Sequence, residues 1–138
     1  MQYGIKPKDL GLFDIKCDQM MFYQYLPIKL INQHKPTIEE RLMPYEKIIG
    51  TIFCDFIGEF GLDKFISNYS YLTVKNIYQT NGCSFNRMGY HSDGFLTNDI
   101  NYIWSDKSPT VFNFGNFNIS NDDDISLIQM QKQAKKRK

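Results

Sequence analysis

Histidine is scarce in this chain. Only His34 and His91 occur among 138 residues, so a site built from three or more imidazoles of this chain is excluded, and few other residues are candidates for redox or acid–base chemistry. Cysteine is nearly as rare. Cys17, Cys54 and Cys83 lie far apart with no CxxC pair, which excludes a zinc knuckle and a disulfide framework and predicts reduced, mostly buried thiols. No apolar run approaches the roughly 20 residues of a membrane span, and the opening MQYGIKPKDLGLFDIK lacks a secretory hydrophobic segment, so neither membrane insertion nor export is expected. Net charge is also small, at +1, although Lys132, Lys135, Lys136, Arg137 and Lys138 crowd the last seven residues and leave the remainder mildly acidic. That balance argues against a globally basic nucleic-acid-binding domain.

Apolar residues, by contrast, are plentiful. A 42% hydrophobic and 15% aromatic composition over 138 residues suffices for one modest core. FDIKC (13–17) and MMFYQYLPIKLI (20–31) read as extended, rich in aromatic and branched side chains, with Pro27 opposing a helix. Thr37 followed by Glu40 fits a capping box. Beyond it, Ile48, Ile49, Ile52, Phe53, Phe56, Ile57 and Phe60 recur at helical spacing, with Pro44 restarting the helix. LDKFISNY (62–69) predicts a second helix after Gly61. YLTVKNIYQ (71–79), INYIW (100–104) and TVFNFGNFNI (110–119) read as strands, the last two separated by the turn SDKSP (105–109). NDDD (121–124) places acidic residues at the start of a final helix. Strands, helices, then strands again predict an α+β fold with a mostly antiparallel sheet and the N-terminal helices packed on it. The expected organisation is a single domain over 1–130 followed by a basic disordered tail over 131–138.

The stretch most able to carry chemistry is GYHSDGF, residues 89–95. Alternating residues on a strand share a face, so His91 and Asp93 would present an imidazole and a carboxylate side by side. A facial iron centre needs two imidazoles and one carboxylate with open positions left over. Gly89 and Gly94 would let the backbone approach the metal and turn beyond it. The competing reading of the same residues is a surface-loop histidine held by Asp93.

From Leu72 to Asn113 the sequence LTVKNIYQTNGCSFNRMGYHSDGFLTNDINYIWSDKSPTVFN resembles the iron(II)/2-oxoglutarate-dependent dioxygenases, particularly their phage and viral-type members. The resemblance covers about a third of the chain, and its chemically specific element is the HxD pair at His91 and Asp93. It implies a double-stranded β-helix, or jelly roll, with iron(II) held at His91 and Asp93. It also implies 2-oxoglutarate as co-substrate, with Tyr78, Phe85 and Asn86 lining the pocket and Tyr78 and Asn86 as the contacts to it. The implied activity is hydroxylation of an unknown substrate, in the cytoplasm of the host cell for a phage or viral protein. No histidine follows His91, and Arg137 is the only arginine after it. The sequence therefore matches the front half of such an enzyme, with a partial jelly-roll sheet incomplete at its C-terminal side. His34 precedes the motif, in the wrong order to serve as its distal ligand. A second chain completing the site or the sheet is the partner this reading implies.

A different class of function is a non-catalytic phage or viral accessory protein that binds protein or nucleic acid. Lys135, Lys136, Arg137 and Lys138 are its candidate residues, because four consecutive cations can pair weakly and salt-dependently with phosphates. The plainer reading of that run is a solubilising tail.

Overall fold

A computed structural model of the chain describes residues 2–82, 88–107 and 110–135. It is a mixed helix-and-strand structure whose described residues form one two-stranded antiparallel sheet. The chain divides into two compact units, residues 13–81 and residues 1–12 together with 82–138.

The unit over 13–81 holds most of the regular structure. Its strands are β1 (Met21–Lys29) and β2 (Ser70–Asn76), with a 3-10 turn of helix over Glu40–Tyr45, then α1 (Glu46–Phe60) and α2 (Leu62–Ile66) between them in sequence. The ladder pairs Met21 with Asn76, Tyr23 with Val74, Leu26 with Leu72 and Lys29 with Ser70. Between Tyr23 and Leu26 one extra residue on β1 makes a bulge. Tyr25 absorbs it at φ +52°, and its N–H bonds the Thr73 hydroxyl at 3.1 Å. A second irregularity follows Pro27, which has no N–H to give to a ladder and is tolerated beside such a break.

Pro44 falls in the 3-10 turn and α1 begins two residues later, as the sequence predicted. The Thr37–Glu40 capping box does not form. Glu39 caps the 3-10 turn without a side-chain bond, and the Thr37 N–H is spent on the Ile28 carbonyl at 2.7 Å, tying the segment to the end of β1. The second helix stops at Ile66 rather than Tyr69. The Ser67 hydroxyl and the Asn68 amide turn back onto the Lys64 carbonyl at 3.2 and 2.7 Å and compete with the next helical turn.

Buried residues of this unit come from every element: Met21, Ile28, Leu42, Tyr45, Ile48, Ile49, Phe65 and Val74. Ile48 and Ile49 are the buried pair of α1, and Phe53 and Phe56 reach the Phe65 ring of α2 at 4.9 and 6.2 Å. Each fully buried aliphatic of this kind contributes about 1.5–3 kcal/mol relative to exposure. The thiols depart from expectation: Cys54 is exposed and Cys17 half-buried, both free. Cys54 falls on the solvent side of α1, where a small residue costs nothing. Cys83 lies outside the described residues.

The other unit has one regular element, α3 (Asp123–Lys135). Asp122 caps it, its carboxylate accepting the Ile125 N–H at 3.0 Å. Ser126, Met130 and Ala134, spaced four apart, are its buried stripe. The helix runs through Lys135, five residues into the stretch expected to be a disordered tail.

The strands expected over 13–17, 100–104 and 110–119 are not formed among the described residues. At the end of 13–17 the Asn76 amide donates to the Cys17 carbonyl at 3.0 Å, and to the Gln19 carbonyl at 2.6 Å, side-chain bonds where a ladder would have had backbone ones. In 110–119 glutamines of α3 play that part. Gln133 accepts from the Asn118 N–H at 2.9 Å and donates to the Asn118 carbonyl at 2.7 Å, a two-way bond like that of a paired strand residue. Gln129 takes the Ser120 N–H at 2.6 Å. At Asn118 the backbone is therefore served by a side chain, while the Gly115 N–H bonds the Gly4 carbonyl at 2.7 Å. Residues 100–104 keep a half-buried, exposed, half-buried alternation at Tyr102, Ile103 and Trp104 without any ladder.

Candidate metal site at His91 and Asp93

His91 and Asp93 do converge, although not from a strand. His91 sits in an irregular stretch and Asp93 opens a turn through Leu96. The turn closes on Gly94, whose carbonyl takes the Thr97 N–H at 2.9 Å and the Thr97 hydroxyl at 2.7 Å. That folding swings the Asp93 carboxylate back, and its Oδ1 lies 3.2 Å from His91 Nε2.

The other ring nitrogen fixes how the imidazole is used. His91 Nδ1 lies 3.2 Å from the Gly89 carbonyl. A carbonyl only accepts, so Nδ1 carries the proton and donates, and Nε2 is the atom offered toward Asp93. A histidine ligand held through its distal N–H by a backbone carbonyl is how proteins set tautomer and ring direction for metal binding. Gly89 is needed for this arrangement. It takes φ +87°, and a Cβ there would collide with the Gln131 amide of α3. Helix α3 thus backs the carbonyl that holds the histidine.

The pair fits a metal in spacing. Two ligands each about 2.1 Å from an ion and at right angles lie roughly 3.0 Å apart, close to the 3.2 Å between Nε2 and Oδ1. Without an ion the same atoms make a charge-assisted hydrogen bond when the ring is protonated. With side chains 29% and 51% exposed, that bond contributes about 0–1 kcal/mol. Among the described residues no group of three or more histidine, cysteine, aspartate or glutamate side chains comes together, so these two are not joined by a third ligand of those types.

The remaining predicted residues are dispersed. Tyr78 follows β2 in the unit over 13–81 and is 89% exposed. His34 is exposed in a loop of that same unit. Lys135 ends α3. Phe85, Asn86, Lys136, Arg137 and Lys138 lie outside the described residues.

Two polar groups stand out that the sequence did not single out. Lys29 is fully buried at the end of β1. Its ammonium donates to the carbonyls of Leu30, Gln33 and Asn68 at 2.9, 3.1 and 2.6 Å and lies 4.8 Å from the Phe65 ring centre. Loss of water around it holds its pKa below the ordinary 10.5. A lone charge inside the apolar run YLPIKLI is the signal that could have found it. The second is Tyr3, whose ring stacks on Phe95 at 5.6 Å and 28° and whose buried hydroxyl has no hydrogen-bond partner among the described residues. Nothing in the local sequence marks it, because its neighbour Phe95 is 92 positions away.

Comparison of the chain with protein-family models, with curated proteins and with solved structures finds no match. No helix among the described residues is long and apolar enough to cross a membrane.

Proposed function

We propose that this chain is an iron(II)/2-oxoglutarate dioxygenase-like protein, in which His91 and Asp93 hold the metal and a substrate of unknown class is hydroxylated. The observation that carries the reading is the 3.2 Å separation of Nε2 and Oδ1, with the imidazole already held through Nδ1 by Gly89. Bound iron and 2-oxoglutarate together supply oxidation of a C–H bond. His91 Nε2 and Asp93 Oδ1 would hold the metal, and the Gly89 carbonyl would keep the ring from rotating. Both side chains are partly open to solvent, so a metal held there would be reachable by a co-substrate. Asn86 is the proposed contact to 2-oxoglutarate. The fold that accompanies this reading is an incomplete jelly roll, in which segments 100–104 and 110–119 would form ladders with strands supplied by a second chain.

Anaerobic calorimetric titration with iron(II), with and without 2-oxoglutarate, tests the reading. One-to-one binding that 2-oxoglutarate strengthens, and that His91→Ala and Asp93→Ala both abolish, is the expected result. Binding no stronger than in those two variants would sink it. Asn86→Ala, titrated alongside, should weaken only the 2-oxoglutarate increment.

A second reading is a non-catalytic accessory protein that binds a partner, with the basic tail contributing. It is favoured by the outward face of the β1–β2 sheet. Phe22 and Tyr71 are more than half exposed there, with Lys75 over the Phe22 ring at 5.5 Å and Tyr69 stacked on Tyr71. Under that reading His91→Ala leaves partner binding intact, and removal of residues 132–138 weakens it.

A further inference from the structure

The β1–β2 sheet has two faces of opposite character. Met21 and Val74 are buried on one of them. The ladder pairs Phe22 with Lys75 and Pro27 with Tyr71, and residues paired in this way share a face. Those four, with Thr73 between Tyr71 and Lys75, are exposed on the other side.

The exposed face is selective in what it carries. Its large apolar side chains are aromatic: Phe22 is 54% exposed and Tyr71 58%. Tyr69 extends the patch, stacked on Tyr71 at 5.8 Å and 24°. The leucines of the strands, Leu26 and Leu72, pair with each other on the inner face instead. Charge is segregated as well. Neither strand contains an aspartate or a glutamate, and every acidic residue of 13–81 lies outside them. The Lys75 ammonium lies 5.5 Å from the Phe22 ring centre and stands in solvent.

That combination decides the kind of partner. An apolar protein surface would cover the rings only by burying Lys75 without a counter-charge, which is costly. An unpaired strand of nucleic acid suits both features. Each base has a π-face for an aromatic ring, and each phosphate is an anion for the lysine. A duplex keeps its bases stacked on one another and leaves the rings nothing to take. Tyr71 and Lys75, the partner of Phe22, are four residues apart on β2, roughly 13 Å along the strand, so the two rings can take different bases. Net charge is only +1, so stacking rather than long-range attraction supplies most of the affinity.

We propose that the exposed face of the β1–β2 sheet binds single-stranded nucleic acid, with Phe22 and Tyr71 stacking on bases and Lys75 pairing with a phosphate. The inference deepens the accessory-protein reading above, giving it a partner class and a site apart from the tail, and it does not depend on iron. Binding is tolerant of sequence, because the rings read the flat face of a base rather than its edges.

Anisotropy of labelled oligothymidylate and oligouridylate, titrated with the full chain across a salt series, tests this. Wild type should bind both, and should bind the duplex of oligothymidylate with oligoadenylate more weakly. Phe22→Ala and Tyr71→Ala should each weaken binding roughly 5- to 150-fold and keep the salt dependence. Phe22→Tyr, which retains a ring, should bind like wild type. Lys75→Gln should reduce the slope of log affinity against log salt by about 0.7. The combined variant Lys136→Gln, Arg137→Gln and Lys138→Gln should leave the contribution of both rings unchanged.

Wild-type affinity in Phe22→Ala and Tyr71→Ala would overturn the proposal. If the tail variant alone then loses binding, the accessory reading survives with its tail as the contact. Binding by Phe22→Tyr as weak as by Phe22→Ala would show that Phe22 supports the strand rather than a base, and overturns the proposal as well. A wild type that binds neither oligonucleotide overturns it and turns the accessory reading toward a protein partner.

Discussion

The two units of this chain satisfy their backbones by different means. In residues 13–81 the peptide groups pair with one another, across the β1–β2 ladder and along α1 and α2. In residues 1–12 and 82–138 side chains do much of that work. Gln129 and Gln133 serve residues 118–120, Thr97 serves Gly94, Asp122 caps α3, and His91 itself bonds the Gly89 carbonyl. A backbone paired in a ladder directs its side chains by strict alternation, whereas an irregular one can aim two of them at a single point. The HxD pair lies in the irregular unit, and the turn after Asp93 achieves the convergence that the sequence assigned to a strand.

If the comparison is sound, the largest disturbance should come from the ladder-and-helix unit. Leu42 is wholly buried, and Leu42→Ala should cost about 2–5 kcal/mol, read by urea unfolding. Hydrogen exchange should quicken across β1, β2 and α1 together, while the amides of α3 change less.

Next in size is Lys29→Met, which keeps the stem but leaves three carbonyls without their donor. A loss of about 1–3 kcal/mol is expected. The pH dependence sharpens the test. Desolvation lowers the native pKa below 10.5, so in the window between that lowered value and 10.5 the unfolded chain binds more protons than the native one. Stability arising from this group therefore rises with pH there. Urea midpoints measured across that alkaline window should show the increment in wild type and not in Lys29→Met.

Gln133→Ala removes both bonds to Asn118 and should cost about 1 kcal/mol. Exchange should accelerate at Asn118 while the β1–β2 ladder is untouched. Were Gln133→Ala instead to unfold both units cooperatively, the division between them would fail. The smallest effect on folding is expected from His91→Gln, about 0–1 kcal/mol for a half-exposed pair, alongside complete loss of iron binding. A large loss of stability would make His91 a structural residue and weaken its reading as a ligand.

How far the sequence discloses this molecule follows the same line. β1, β2, α1 and α3 are legible because their periodicity and breakers (Pro27, Pro44, Gly61, and the acidic start at 121–124) act within a few residues. The convergence of His91 and Asp93 was legible as a two-residue spacing, although the turn that produces it was not. Segment 110–119 alternates like a strand, and alternation records only that a chain is extended. Whether its N–H groups meet another strand or Gln133, fifteen residues away, depends on packing that local pattern does not encode. Tyr3 was illegible for a stronger reason: the ring it stacks on, Phe95, lies at the far side of the sequence.

Lys29 offers a clock. An amine acylates only as a free base open to reagent, and this one is enclosed with all three of its hydrogens engaged. Its neighbours Lys35 and Lys75 stand in solvent and should modify within the first moments of exposure to an amine-reactive ester. Lys29 can react only when the end of β1 parts from the Asn68 carbonyl. The rate at which this single lysine acquires mass therefore counts the openings of its unit, under native conditions and without denaturant.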